Sequence, residues 1–397
     1  MKRVLMVLEN EFPTDDRVEK EIESLQRIGF DVSIAVLTFT NKPSVESYKG
    51  YTIYRKRISS LFHKSSAAIL ILPFYFMFWN KFLKSILKVN KFDVIHIHDL
   101  PLSKVGYRLA RKFNLKLVCD QHEYYSNWIV RTKHYNTTVG KIIKMLSNWP
   151  KYERKYLQKA DLVITVEDSL KQIYIDKTFV PKEKIITVPN TPRSEIFRID
   201  NIDESIVAKY KNNFVLVYAG GLDHLRGIDF IIESIASIKG VIKDVKFVVA
   251  GRENKAFNLR GYISQHKVED YVDFVGWIPI EQLPSYIAAS NICVHVPKPD
   301  NLEVNNTIAT KIYQYASMGK PVIVSDARMM QEFVESNRIG YSVKFGDVNG
   351  FRDIVKKLYD DPSIAAEIKS RAVDVAKKYT WENTSVDLTN SYIKLTS

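Results

Sequence analysis

The stretch NNTIATKIYQYASMGKPVIVSD, Asn305 to Asp326, reads as a polar turn, a short helix and a buried strand. The first amides of a helix are unpaired and point outward, so a helix that starts beside a parallel strand can bind an anion. Asn306, Thr307 and Thr310 lead into that turn, and Lys311 adds a full positive charge. The same pattern also serves as a plain strand–helix connection, so the rest of the chain must decide. In FVLVYAGGLDHLRGIDF, Gly220 and Gly221 let a ligand approach the backbone, and Arg226 stands just before a helix. A guanidinium there can hold two phosphate oxygens at once. Neither GxGxxG nor a Walker A sequence occurs, which weighs against ordinary dinucleotide and P-loop sites. Two cations and two helix starts at the carboxyl edge of one sheet make a better phosphate site than either alone.

A third place is DQHEYY, where His122 and Glu123 follow directly on a strand. An imidazole there can donate a hydrogen bond to a substrate hydroxyl or move a proton. HIHD puts His96 and His98 on one strand face, but no third ligand stands at diagnostic spacing, and no metal is expected.

These residues need elements to hold them. Strands are expected at Val4–Leu8, Asp31–Leu37, Tyr51–Arg55, Val94–His98, Leu115–Cys119, 160–166 and 184–190, with helices between them. A helical pattern also runs through Ala67–Val89. After a polar stretch, Arg193–Asn213, the pattern restarts with strands at 214–221, 245–251, 272–278, 292–296 and Val322–Ser325, and closes with helices at 350–360 and 363–378. Alternating strands and helices without hairpin turns argue for doubly wound parallel sheets. A chain of 397 residues exceeds what one core usually supports. The expected architecture is α/β, two Rossmann-like domains facing each other across a cleft. Residues 1–200 form the first and 201–380 the second, and the tail 381–397 packs back on the first.

The net charge is +13, and its distribution says more than its size. Residues 49–159 carry 22 basic against 5 acidic groups, while residues 201–397 are balanced. The excess points to a polyanionic or membrane-surface partner for the first half. No RNA-binding signature is present, so no nucleic acid is expected. AAILILPFYFMFW (67–79), with Lys81, Lys84 and Lys88 after it, is too short and too interrupted by Pro73 to span a bilayer. It reads either as a core helix or as an interfacial one, and the surrounding charge favours the interfacial reading. The two cysteines, Cys119 and Cys293, sit in apolar runs as buried small residues, which suits a reducing compartment. MKRVLMVLEN reads as a first strand rather than a leader.

The arrangement resembles glycosyltransferase family 4, the retaining enzymes of GT-B fold that use nucleotide-sugar donors. In the second half the matching features are YAGGLDHLRGIDFIIES, VVAG, VDFVGWIP, TKIYQYASMGKPVIVSD and KKYTWENTS. In the first half they are FPTDDRVEKEIESLQRIGFDV, DVIHIHDLPLS, LVCDQHEYYS, KADLVITVEDSL and ITVPNTP. The resemblance implies a diphosphate contact at Arg226 beside Gly220 and Gly221. It places the donor phosphates near Ala309, Thr310 and Lys311, an active-site histidine at His122, and the nucleobase by Trp277 and Ile278. Asn306 and Gln314 stand where the family usually carries two glutamates. Both can hydrogen-bond a sugar, but neither brings negative charge to an oxocarbenium-like transition state.

The expected function is a cytoplasmic, membrane-peripheral glycosyltransferase acting on a lipid-linked or polysaccharide acceptor, without metal or cofactor. Its catalytic groups would be His122, Arg226 and Lys311. The loop Phe12–Arg17, through Asp16 and Arg17, would face the acceptor with Glu123. A scaffold subunit without catalysis and a nucleotide-sugar epimerase are the alternatives.

Overall fold

A computed structural model describes residues 1–397 apart from 133, 134, 136 and 254–256. The chain divides into two units, Met1–Asn190 with Ser385–Ser397, and Thr191–Thr384. Residues 191–200, assigned above to the first domain, thus lie with the second unit, as do 381–384 of the tail.

The first unit is built on eight strands: β1 (Arg3–Leu8), β2 (Asp31–Thr38), β3 (Val45–Tyr48), β4 (Tyr51–Arg57), β5 (Val94–His98), β6 (Lys116–Gln121), β7 (Leu162–Thr165) and β8 (Ile185–Thr187). Their order is β3-β4-β2-β1-β5-β6-β7-β8. All neighbours are parallel except β3 and β4, which form an antiparallel hairpin through Lys49 and Gly50. Both turn residues have positive φ, the requirement of a two-residue hairpin turn. The expectation of a sheet without hairpins is corrected here.

Strand alternation sorts the side chains of β5. Ile95 and Ile97 join the apolar core with the helices Phe74–Val89 and Ser103–Phe113. His96 and His98 point to the other face, toward the helices Asp16–Arg27 and Val386–Thr396. The Phe74–Val89 helix starts only after Pro73, not at Ala67, because proline ends what precedes it and suits a first turn. Its Tyr75, Phe76, Trp79, Phe82, Leu83, Ile86 and Leu87 are buried. The segment is therefore first a core helix, which corrects the expectation of an interfacial one. Only an outer edge, with Phe74 and Met77, stays exposed. Among the described residues no helix is long and apolar enough to cross a membrane.

The second unit carries β9 (Phe214–Ala219), β10 (Val245–Ala250), β11 (Val272–Gly276), β12 (Ile292–His295), β13 (Val322–Ser325) and β14 (Gly340–Val343). Their order is β11-β10-β9-β12-β13-β14, all parallel. The sequence reading missed β14 and the helix Arg328–Ser336 before it. Apolar cores cover both faces of this sheet. β9, which supplies Leu216 and Tyr218 to one core and Val215 and Val217 to the other, is a central strand. Residues after β9, β10, β11 and β12 meet at the carboxyl edge, where parallel sheets bind ligands.

Candidate active site

β9 ends at Ala219, and Gly220 turns the chain with φ 148°. A Cβ at Gly220 would stand 2.5 Å from Lys311 Nζ, so glycine is what leaves room for that ammonium. Lys311 Nζ donates to Tyr218 Oη at 3.2 Å and lies 4.2 Å from the centre of its ring. Tyr218 Oη in turn donates to the Gly221 carbonyl at 2.8 Å. Lys311 sits in the first turn of the helix Thr310–Ser317, whose start at Ala309 has no side-chain cap. Tyr315 locks this helix to β9 by accepting a hydrogen bond from Ala219 N at 3.1 Å. Among the described residues no carboxylate lies within ion-pair distance of Lys311. Burial, and then the charge of Arg226, hold its ammonium well below the ordinary lysine range.

Arg226 closes a single turn capped by Asp223, whose Oδ1 accepts from Leu225 N and Arg226 N. The Arg226 side chain is 48% exposed, and its Nε is 4.0 Å from Asp223 Oδ2. The guanidinium is thus only loosely held. His295 on β12 was missed by the sequence reading. It is buried, its Nδ1 lacks a hydrogen bond, and burial followed by Lys311 and Arg226 keeps it neutral. Its place at the inner end of ICVHV was the available signal.

The remaining donor-side residues differ in what they offer. Gln314 lies one turn along from Lys311, and its amide makes no bond to the described residues. Thr310 and Ala309 frame the open helix start. Ile278 is partly buried against the core with Leu283 and Ile287, whereas Trp277 is 59% exposed under the Arg252 guanidinium, 4.9 Å from its ring. Asn306 is committed elsewhere. Its Nδ2 donates to the Leu302 carbonyl at 2.6 Å and its Oδ1 accepts from Arg328 Nη2. Both ends of the Asn306 amide are thus engaged within its own loop.

In the first unit, His122 lies just past β6, next to a buried polar cluster. Asp120 on β6 pairs in register with His98 on β5. Its Oδ2 accepts from His122 Nε2 at 2.8 Å and lies 3.3 Å from His98 Nδ1. Its Oδ1 accepts from Arg17 Nη2 at 3.2 Å. Arg17 Nη2 also stands 3.1 Å from Glu21 Oε1, and Arg17 Nη1 donates to the Val188 carbonyl at 2.9 Å. His96 Nδ1 meets Tyr392 Oη at 2.7 Å. Arg17 is 4% exposed, so it cannot face an acceptor. That expectation is corrected: the arginine turns inward because only Asp120 and Glu21 can neutralise it there. Asp16 is 54% exposed and pairs with Lys20 at 3.1 Å. Glu123 accepts from Tyr174 Oη through its backbone carbonyl.

His122 is intermediate in exposure and lies between two carboxylates, with Asp99 Oδ1 3.6 Å from Nδ1. Burial works against its charge, but Asp120 and then Asp99 outweigh burial and push it up to about 10. Asp120 is kept well below the usual carboxylate range: burial opposes this, and Arg17 and His122 prevail. Glu21 is pushed well up, by burial first and by Asp120 second.

Glu21, His96, His98 and Asp120 offer ligand atoms within 4.8 Å of one another, so tertiary structure supplies the third and fourth ligands that spacing did not reveal. Arg17 answers the question of what balances them. Its fixed charge already stands against two of the four, and Asp120 has both oxygens engaged. The guanidinium thus takes the acidic side of the set, while His96 Nε2 and His98 Nε2 have no hydrogen-bond partner among the described residues.

Comparison with known proteins follows the same division. The family model described as Glycosyltransferase Family 4 matches residues 17–191, and the one described as Glycosyl transferases group 1 matches residues 200–375. An uncharacterized glycosyltransferase of Methanocaldococcus jannaschii is 25% identical, over 93% of this chain and 91% of its own length. The UDP-Gal:alpha-D-GlcNAc-diphosphoundecaprenol alpha-1,3-galactosyltransferase of Escherichia coli is 22% identical over 70% of this chain and 69% of its own. The GPI3 subunit of the phosphatidylinositol N-acetylglucosaminyltransferase of Saccharomyces cerevisiae is 20% identical over 99% of this chain and 83% of its own. Among solved structures, sucrose-phosphate synthase from Thermosynechococcus elongatus has a TM-score of 0.79 at 18% identity, covering 100% of this chain and 99% of its own. Anabaena HepE in complex with UDP has a TM-score of 0.71 at 15% identity, covering 99% of this chain and 100% of its own. These likenesses show the GT-B fold, two α/β domains each on a parallel sheet.

Proposed function

The chain belongs to glycosyltransferase family 4 and is a glycosyltransferase, and on that premise we propose that it transfers a sugar, with retention, from a nucleoside-diphosphate sugar to a lipid-linked or cell-surface polysaccharide acceptor. The observation that carries this reading is Lys311. An ammonium with no acid partner, beside a glycine turn and an uncapped helix start, is a place prepared for a phosphate. Arg226, Lys311 and the amides at Thr310 and Lys311 would hold the leaving diphosphate. Their charge would stabilise it as it departs, the work that a metal ion does in other transferases. Gln314 would bind ribose hydroxyls, Ile278 the base, and His122 a sugar hydroxyl.

Two relatives carry lipid acceptors in their names, a diphosphoundecaprenol and a phosphatidylinositol. An anionic membrane surface on the cytoplasmic side as partner is supported by the basic first unit. It is supported also by the helix Thr138–Leu146, where Val139, Ile142, Met145 and Leu146 are exposed beside Lys141 and Lys144. Calorimetric titration of the full chain with UDP, GDP and their sugars tests the donor assignment. Arg226→Ala should weaken the preferred diphosphate by about 10- to 100-fold, the usual range for a lost charge-assisted bond. Unchanged binding in that variant would remove the diphosphate site from the second unit.

A further inference from the structure

The helices Phe74–Val89 and Ser103–Phe113 pack side by side on the face of the first sheet opposite Asp120, and a groove of about 300 Å³ runs between them. Lys104, Arg108 and Lys112 line one wall at every fourth residue, and Lys84 stands on the other. Like charges four apart on a helix repel one another. Among the described residues none of the four has a carboxylate within ion-pair distance. Lys104 lies 4.4 Å from the centre of the Phe76 ring, and burial, then Arg108 and Lys155, push it below the ordinary lysine range. The repulsion therefore has no internal remedy. A bound anion would supply one.

The other end of the groove is apolar. Phe76 and Met77 line it, and Met77 is 62% exposed with Phe74 beside it at 59%. Cations at one end and exposed apolar side chains at the other describe an amphiphile. We propose that this groove binds the phosphate headgroup of an anionic phospholipid, with its acyl chains passing over Met77 and Phe74. A phosphodiester chain of RNA would answer the charges but would leave the apolar end in water. The assignment rests on the reading that the first unit works at a membrane surface. It explains why a segment that is mostly core keeps an exposed apolar edge next to four basic side chains.

Co-sedimentation of the full chain with vesicles of phosphatidylcholine, alone or with about a third phosphatidylglycerol, tests it. The natural chain should prefer the anionic vesicles. Lys104→Met with Arg108→Met, which keeps the apolar stems, should weaken that binding about thirtyfold, at roughly fivefold per basic residue near such a surface. Lys243→Met with Lys378→Met removes the same charge from exposed positions of the second unit and should change binding less than about twofold. Met77→Ser alters no charge, truncates a side chain that is 62% exposed, and should weaken binding as well. Equal losses in the two double variants, or no loss with Met77→Ser, would overturn the groove and leave the membrane reading standing. No preference of the natural chain for anionic vesicles would overturn both. Retention on poly(U) that is lost with Lys104→Met and Arg108→Met, without vesicle binding, would assign the groove to nucleic acid instead.

Discussion

The two units treat buried charge in opposite ways. Around His122, the full charges have counter-charges: Arg17 lies against Asp120, with the pushed-up Glu21 carboxyl beside it, and His122 lies between Asp120 and Asp99. Around Lys311 the cations have none, apart from Asp223 at the edge of reach of Arg226. The first cluster is complete when the chain folds. The second, on the proposed function, is completed by the donor diphosphate. A charge network that neutralises itself contributes rigidity, whereas cations without a counter-charge offer affinity to an anionic ligand.

The comparison can be broken most directly at Arg17. Arg17→Met leaves Asp120 buried with its main partner gone, and should cost about 3–5 kcal/mol in denaturant unfolding of the full chain. A loss below about 1 kcal/mol would mean that the first cluster is not held by this pairing. Lys311→Met should do the reverse. It should change unfolding stability by no more than about 1 kcal/mol, since only a neutral hydroxyl and no counter-charge is left behind, but should weaken nucleoside-diphosphate binding by about 1.5–3 kcal/mol in calorimetry. If stability and binding fell together, Lys311 would be a structural residue like Arg17.

A third test reads the pH. Because His122 is raised to about 10 in the folded chain, its contribution to stability is complete below its unfolded value of about 6.5. It is lost as pH rises through about 10. Melting temperatures across that window should fall in the natural chain and fall less in Asp120→Asn, which lacks the charge that holds the imidazolium. Parallel profiles would show that Asp120 does not hold the His122 proton. The smallest effect belongs to Asn306. Asn306→Asp keeps an acceptor for Arg328 and should change donor affinity by less than about 0.5 kcal/mol, because the side chain is spent on its own loop.

Much of this was legible in the sequence. Short apolar runs between helical patterns gave the strands, and Gly220, Arg226 and Lys311 stand together in the structure at one sheet edge, because in parallel sheets residues that end strands converge there. What was not legible depended on contacts between distant segments. Arg17 looked like an acceptor-facing loop residue because its partner lies 103 positions away on β6. Glu21 completes the two-histidine pair of β5 from a helix, so no local spacing revealed it. The hairpin at Lys49 and Gly50 was hidden because lysine is an uncommon choice for positive φ. The contact of Asn306 with Arg328 was hidden because Arg328 begins a helix that the sequence reading passed over.

The helix Val386–Thr396 has a consequence for how the molecule is made. Its Tyr392 and Leu388 are fully buried in the first unit, against the Asp16–Arg27 helix and His96. Yet this helix leaves the ribosome after the whole of Thr191–Thr384. Domains usually fold in the order in which they are synthesised. Here the unit begun first must wait for the last helix described, keeping the site of Tyr392 open while the second unit folds. A fragment ending at residue 190 would meet the same vacancy permanently, and would leave His96 without its hydroxyl partner.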